Sequence, residues 1–394
     1  MRLTRLQLED FRSYASAELH PEPGLTIVAG PNGAGKTNLL EAIFVAITGR
    51  SHRAGSDAEL VRHGQPFARV RLELAGAEGA AAARVERVEL LVPAEDAPAD
   101  LRKRVTVNGL ARRASTIGDT VRVVLFRPEE MLLLVGAPSE RRRFLDAILA
   151  QRDRAAARDL AEFGRILAQR NALLRAVRRE EAELENLAFW DEQLAAVGSR
   201  VMVARLQLVA DLAVRIPALH DAVAPDAERG EQVRITYADT LKDAWPGRAA
   251  TGSAASHEEL AEAYRRRIRQ VREKELWNGV SLVGPHRDDL RVELAGRGVA
   301  THASRGQQRT IILALKLAET DLLGADGAPT PVALLDDVFS ELDADRSERS
   351  LGLLLERGQV LVTMADLASL PAGRRGVTIW QVGDGNLSQA PRVA

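Results

Sequence analysis

One stretch limits what this chain can become: Ile27-Val28-Ala29-Gly30-Pro31-Asn32-Gly33-Ala34-Gly35-Lys36-Thr37, followed by Asn38-Leu39-Leu40-Glu41-Ala42-Ile43. Three apolar residues read as the end of a buried strand. Gly30 to Thr37 fits G-x-x-x-x-G-K-[ST], and Leu39, Leu40, Ile43, Phe44 and Ile47 recur at helical spacing. Strand, glycine-rich turn and helix in that order make a phosphate cradle. The glycines let backbone N–H groups curl around phosphate oxygens, and the new helix turns its positive end toward them. Gly30, Pro31, Asn32, Gly33, Ala34, Gly35 and Asn38 are therefore expected at a nucleotide. Lys36 would reach the β- and γ-phosphates, and the Thr37 hydroxyl would hold Mg²⁺.

Composition narrows the class. The chain has 394 residues, enough for two or three domains, with 46% hydrophobic and 28% charged residues. A formal net charge of −1 provides no global field for nucleic acid, so any such contact must come from local basic faces. With no cysteine, disulfides and thiolate metal sites are excluded, and the seven histidines show no metal-ligand spacing. Charges at Arg2 and Arg5 come too early for a signal peptide, and no apolar run approaches membrane-spanning length. A cytoplasmic protein with no membrane partner is expected.

In chain order, residues 2–8 suggest a strand, and 68–74, 85–92 and 103–107 suggest an antiparallel meander ending in an Asn108-Gly109 turn. Residues 75–83 and 93–100 read as loop tips, and 121–126 as a buried strand. Ser139 is the expected N-cap of the next helix. Residues 139–179 hold eleven arginines against five acids with helical periodicity, and two long helices running out and back as an arm fit 139–215. Residues 221–258 are irregular, with a short strand near Val233–Tyr237, before a helix centred on Tyr264–Leu276. A hairpin is expected over 291–298, a helix from Ser304, strands at 331–335, 359–363 and 377–381, and a frayed end from about 383.

Val332 to Asp337 is a buried strand ending in two acids. Asp336 can face Thr37 across Mg²⁺, and Asp337 is placed to polarise an attacking water. Ser304-Arg305-Gly306-Gln307-Gln308 resembles the S-G-G-Q signature of ABC-type ATPases, with Arg305 in the first glycine's place. That resemblance implies that Ser304, Gly306 and Gln307, with the positive end of their helix, complete the ATP site of a second copy. The order of phosphate loop, signature, acid pair and Ser340-Glu341-Leu342-Asp343 supports it, against the plainer reading of Ser304 as an ordinary N-cap.

The long insertion between loop and signature resembles the SMC-like group of these ATPases. Further blocks are similar to the RecF family of bacterial recombination mediators: Phe11-Arg12-Ser13-Tyr14, Phe126-Arg127-Pro128-Glu129-Glu130, Arg141-Arg142-Arg143-Phe144-Leu145-Asp146, Gln169-Arg170-Asn171, and Gly284-Pro285-His286-Arg287-Asp288-Asp289-Leu290. The implied fold is α/β, an ABC-type ATPase head (core sheet plus antiparallel β subdomain) with an inserted helical arm. Expected divisions are 1–138, the inserted lobe 139–276, and 277–394. The resemblance implies an ATP-dependent homodimer on single-strand/duplex DNA junctions, working with RecR and RecO to load RecA, with slow hydrolysis that resets the dimer. It also implies that Arg12 touches nucleotide phosphate, although a surface salt bridge serves equally. Acids near Arg127–Glu130 replace the usual glutamine, and Thr363-Met364 replaces the usual histidine, so the γ-phosphate sensor is at best a threonine. Both departures favour a switch over fast turnover.

DNA backbone contact needs clustered cations. Arg265, Arg266, Arg269 and Lys274 on one helix, and Arg175 and Arg178 on the arm, are the candidates; a solvated face is the alternative for each. Aromatics are 4%, so base stacking is not expected to dominate. Competing functions are an SMC-like structural chromosome ATPase and a phosphate-loop kinase; the kinase needs neither signature nor acid-pair tail.

Overall fold

The computed structural model describes residues 1–76, 86–225, 232–241, 244–245, 256–367, 377–383 and 385–390. Two compact units emerge: Met1–Glu130 with Leu219–Asp226 and Leu313–Ala394, and Met131–Ala218 with Ala227–Ile312. The main divisions of these units fall after 130 and 312, and the segment 277–312 groups with the helical insertion.

The first unit contains two six-stranded sheets. Strands β1 (Arg2–Phe11), β2 (Tyr14–Leu19), β4 (Phe67–Ala75), β5 (Glu86–Pro93), β6 (Arg104–Val107) and β7 (Leu110–Arg112) pair antiparallel in the order β2-β1-β4-β5-β6-β7. This is the expected meander, and Asn108 and Gly109 both take positive φ (52° and 79°) to turn its last hairpin. The second sheet runs β15-β14-β3-β13-β12-β8, from Asn386–Gln389, Thr378–Gly383, Leu25–Ala29, Val360–Met364, Val332–Asp336 and Val123–Phe126. Its strands are parallel except β15. β3 and β13 are buried at every position, as a sheet covered on both faces requires. Helix α1 (Lys36–Thr48) touches strands of both sheets, and its Leu39, Leu40, Ile43 and Ile47 join one apolar core with Leu6, Val70, Leu90, Leu125 and Leu334.

In the second unit, helices α2 (Leu132–Val135), α3 (Pro138–Arg152), α4 (Arg154–Arg178), α5 (Leu187–Val223, running on past residue 218), α6 (His257–Asn278) and α7 (Val299–His302) accompany a small sheet, β11-β10-β9 (Arg297–Gly298, Asp289–Leu294, Val233–Ala238). Its core gathers Phe163, Ile166, Leu194, Met202, Tyr264 and Val283. Helix α8 (Arg305–Leu323) and α9 (Ala344–Arg357) complete the chain.

Three expectations are corrected. The 139–215 region forms three helices, not two, because Asp153 ends α3 and caps α4, accepting from the N–H groups of Ala155 (2.8 Å) and Ala156 (3.3 Å). Ser139 is not a cap: Pro138 opens α3 at a position where its missing N–H costs nothing, behind Ala137. The chain end is not frayed from 383, since Asn386–Gln389 pairs antiparallel with β14. Most of the 75–83 loop tip and much of 221–258 lie outside the described residues, as do 391–394.

Candidate functional site

The phosphate loop follows from local geometry. Gly33 (φ 82°) and Gly35 (φ 107°) hold left-handed conformations that L side chains rarely adopt. A Cβ on Gly30 would stand 2.4 Å from the Val382 carbonyl oxygen, and one on Gly35 would stand 2.9 Å from both the Ser13 and Tyr14 hydroxyls. Only glycine fits at these two close approaches. Pro31, Asn32 and Gly33 are exposed at the crest, while Lys36 is buried and its Nζ donates to the carbonyls of Gly30 (2.7 Å) and Pro31 (3.0 Å).

Sheet register brings the acid pair to the loop. Asp336 ends β12 opposite Thr363 of β13, and Thr363 in turn lies opposite Val28 of β3, two residues before Gly30. The Thr37 hydroxyl donates to Asp336 Oδ1 at 3.0 Å, across 299 positions of sequence. Thr363 is fully buried; its hydroxyl donates to the same carboxylate oxygen (2.7 Å) and accepts from the Asp337 N–H (3.1 Å). Thr363 therefore holds the acid pair in place. Strand register, not sequence, reveals the acid pair as the neighbour of this threonine. Asp337 takes a left-handed φ of 50°, rare for a non-glycine residue.

The oxygen-only donor set of Thr37 and Asp336 fits Mg²⁺, which binds through one or two protein oxygens and substrate phosphates. No cluster of three or more His, Cys, Asp or Glu suited to a metal occurs among the described residues.

Around α1 a charged knot forms that sequence alone missed. Glu41 is fully buried, and its carboxylate accepts from Arg12 (2.9 Å twice), Arg53 (2.9 Å) and Ser51 (2.6 Å). Burial works to raise the Glu41 pKa, but these donors outweigh it and leave it lowered. Arg12 is thus engaged in an ion pair with a buried carboxylate rather than in a surface salt bridge. Asn38 donates to the Ser13 hydroxyl (2.9 Å) and accepts from Arg53. The signal that could have exposed the knot is an acid on the inner face of an amphipathic helix, which must find cations.

In the second unit, Ser304 caps α8 in a reciprocal box: its N–H donates to Gln307 Oε1 (2.8 Å) and the Gln307 N–H donates to Ser304 Oγ (3.3 Å). Ser304 is exposed, Gly306 half-buried. The proposed DNA-facing arginines are largely engaged within the protein. Glu262 pairs with Arg265 (3.3 Å), Arg266 (3.6 Å) and Arg269 (3.5 Å), and Glu192 also takes Arg265 at 2.7 Å. Arg178 donates to the Trp277 carbonyl (3.2 Å), whereas Lys274 and Arg175 are exposed.

The remaining motifs build a buried lock. Arg170, wholly inaccessible, donates to Asp191 (2.8 Å), Glu275 (2.6 Å) and Ser281 (2.6 Å), while Asn171 accepts from Ser281 N–H (2.7 Å). Asp288, also inaccessible, accepts from the Tyr237 hydroxyl (2.7 Å) and from the N–H (2.8 Å) and hydroxyl (2.7 Å) of Thr240.

The profile of the RecF/RecN/SMC N-terminal domain family matches residues 2–385. The DNA replication and repair protein RecF of Roseiflexus castenholzii is 37% identical, covering 99% of this chain and 100% of that one. Two solved structures of the recombination mediator protein RecF of the RecFOR pathway are similar throughout. The RecF-ATPrS structure has a TM-score of 0.86 at 26% identity and covers 99% of this chain and 98% of that one; the RecF-ATP structure has 0.85 at 27%, covering 99% and 97%. The fold is that of an ABC-type ATPase head with an inserted helical lobe.

Proposed function

Because the chain belongs to the RecF family of DNA replication and repair proteins, we propose that it is an ATP-operated, DNA-binding recombination and repair mediator. The observation that carries this reading is the 3.0 Å contact of Thr37 with Asp336 beside a loop that only glycine can form. A similar RecF solved with ATP supports the choice of nucleotide.

In this reading the Gly30–Gly35 backbone and the first N–H groups of α1 cradle the phosphates. Lys36 Nζ would exchange the carbonyls of Gly30 and Pro31 for phosphate oxygens, and Thr37 and Asp336 would hold Mg²⁺. Bound Mg–ATP supplies the reactive γ-phosphoryl group. Asp337 orients and deprotonates the attacking water, with Thr363 fixing both acids. Ser304, Gly306, Gln307 and the positive end of α8 receive the γ-phosphate of a nucleotide held by a second copy, so ATP joins the two heads. The dimer holds single-strand/duplex junctions such as gap edges and, with RecO and RecR, promotes RecA loading. Slow hydrolysis resets it.

Sedimentation with and without ATP tests the composite site. The wild-type chain should become a dimer on ATP, and Ser304→Arg should bind ATP with little change yet remain a monomer. Equal dimerisation of that variant would overturn the shared site.

A further inference from the structure

The polar face of the antiparallel sheet is neutralised almost throughout. On β1, β2, β4 and β5, Arg5 meets Glu18 (2.8 Å), Arg69 meets Glu9 (2.7 Å), Arg71 meets Glu89 (2.8 Å) and Arg87 meets Glu73 (2.9 Å). Such cross-strand pairs are the ordinary way a sheet carries charge. The edge hairpin β6–β7 breaks that pattern. Arg104, Arg112 and Arg113 are exposed, and none has an ion pair among the described residues.

Their placement adds to the contrast. Val105 stands opposite Arg112, so extending the register by one residue sets Arg113, still extended at φ −76° and ψ 140°, across from Arg104. Like charges directly opposite each other on paired strands weaken a sheet. The hairpin is also held firmly: Asn108 exchanges hydrogen bonds with Arg87 of β5 through its N–H and its Oδ1, both at 2.8 Å, and the positive φ values of Asn108 and Gly109 close the tight turn. Two like charges thus oppose each other at the end of the hairpin and Arg112, across from Val105, adds a third on the alternate face, with no described carboxylate to balance them. The neighbouring Lys103, by contrast, is tied to Asp57 at 2.7 Å.

We propose that the β6–β7 hairpin is a contact surface for the sugar–phosphate backbone of duplex DNA, Arg104, Arg112 and Arg113 each neutralising a phosphate. This rests on the DNA-binding reading above and names where part of that contact is made. Phosphate contact suits the geometry, since β6 is also paired with β5, which makes the hairpin the margin of a six-stranded sheet rather than a free ribbon that could enter a groove. No aromatic side chain lies on the hairpin, so base stacking on a single strand has no platform there. The rival explanation is that charge on an edge strand only prevents edge-to-edge aggregation. That role is indifferent to sign, whereas polyanion binding is not.

The test uses this difference. Full-length protein with ATP is titrated onto fluorescently labelled duplex DNA across a salt series, for wild type, the triple variant Arg104→Glu, Arg112→Glu and Arg113→Glu, and the matching triple Gln variant. Each neutralised phosphate adds about −0.9 to the slope of log K against log salt, so losing three contacts should flatten the slope by roughly 2–3. The Glu variant should bind at least tenfold more weakly at ~0.1 M salt, with the Gln variant between, while both keep ATP binding and a wild-type melting profile. A single Arg112→Gln, the mildest change, should flatten the slope by about 0.9 should either triple variant fail to fold. Wild-type affinity and slope in the Glu variant overturn the hairpin surface, and so does a Gln variant that aggregates while the Glu variant stays monodisperse and binds normally. In either case the DNA-binding reading survives; a wild-type protein that fails on duplex but binds a gapped junction overturns the hairpin surface alone, and one that binds neither overturns both. An acidic protein partner as the true occupant would show as unchanged DNA binding, and so also overturns the proposal.

Discussion

The phosphate loop and the lock around Arg170 are both built from polar, motif-bearing residues, yet they use polarity in opposite ways. Pro31, Asn32 and Gly33 stand exposed, the loop is shaped by left-handed glycines, and the buried Lys36 ammonium rests on backbone carbonyls. In the lock, Arg170 and Asp288 are sealed from water, each making at least three hydrogen bonds to other groups of the protein. Polar capacity left open at a surface suits a ligand; capacity consumed internally sets a shape. A high density of arginine therefore says little about function until its partners are known. The same lesson separates the paired arginines of α6 from those of the β6–β7 hairpin.

The strongest way to break this comparison is to remove the centre of the lock. Arg170→Met leaves the fully buried Glu275 without its cation while Asp191 keeps Arg272, and truncating one partner of a buried pair costs about 3–5 kcal/mol. Denaturant unfolding should show that loss, with ATP affinity of the folded fraction unchanged. An unaltered midpoint would mean the lock contributes nothing to stability.

Lys36→Met should do the reverse. ATP affinity is expected to fall by at least ~100-fold, about 2.7 kcal/mol, because Nζ is the cation seated on the loop's own carbonyls. Nucleotide-free stability should shift by less than about 1 kcal/mol, since that Nζ bonds neutral carbonyls and no buried carboxylate. Titration with a fluorescent ATP analogue and a urea melt read the two halves; a large stability loss with intact binding would reverse the assignment.

A smaller effect sharpens the boundary between the two kinds of site. Thr363→Val keeps shape and burial but deletes the hydroxyl bound by Asp336 and Asp337. Hydrolysis should slow ~10- to 100-fold, the scale expected when a positioning group is lost, with ATP affinity within a few-fold. Unchanged steady-state phosphate release would remove Thr363 from the machinery.

Legibility followed the same divide. The loop, the meander and the buried parallel strands could be read because glycine conformation, strict alternation and continuous apolar runs are local properties. The blocks around Arg170 and Gly284 could be recognised by resemblance but not explained. Their meaning lies in partners as distant as Ser281 from Arg170, and no periodicity encodes that pairing. Gly284 shows the limit well: its φ of 114° and the Tyr264 hydroxyl, 1.7 Å from where a Cβ would stand, exclude every other residue, yet nothing near it in sequence says so. Thr363 was legible as a site residue but its bond to the acid pair was not, since only the register of β13 against β12 sets it beside Asp336.

The smallest predicted effect places one titrating group in each unit. His52, packed edge-on to Phe44, is pushed down to about 4 by burial and then by Arg127. His286, beside Phe163 and 3.0 Å from the Ser281 carbonyl, is also pushed down to about 4, by burial first and against the pull of that carbonyl. In the unfolded chain an ordinary histidine titrates near 6.5, so below that pH the unfolded state takes up a proton that the folded state refuses. Stability contributed by each neutral ring is complete above about 6.5 and declines as pH falls toward 4. Allowing for partial exposure, each should forfeit about 1 kcal/mol by pH 5. Urea midpoints at pH 7.5, 6 and 5 should fall progressively, with His52→Gln and His286→Gln each flattening part of the decline. If His286→Gln flattens it and His52→Gln does not, the helical unit opens first in acid; if neither does, both rings already share their protons with solvent and the burial argument for them fails.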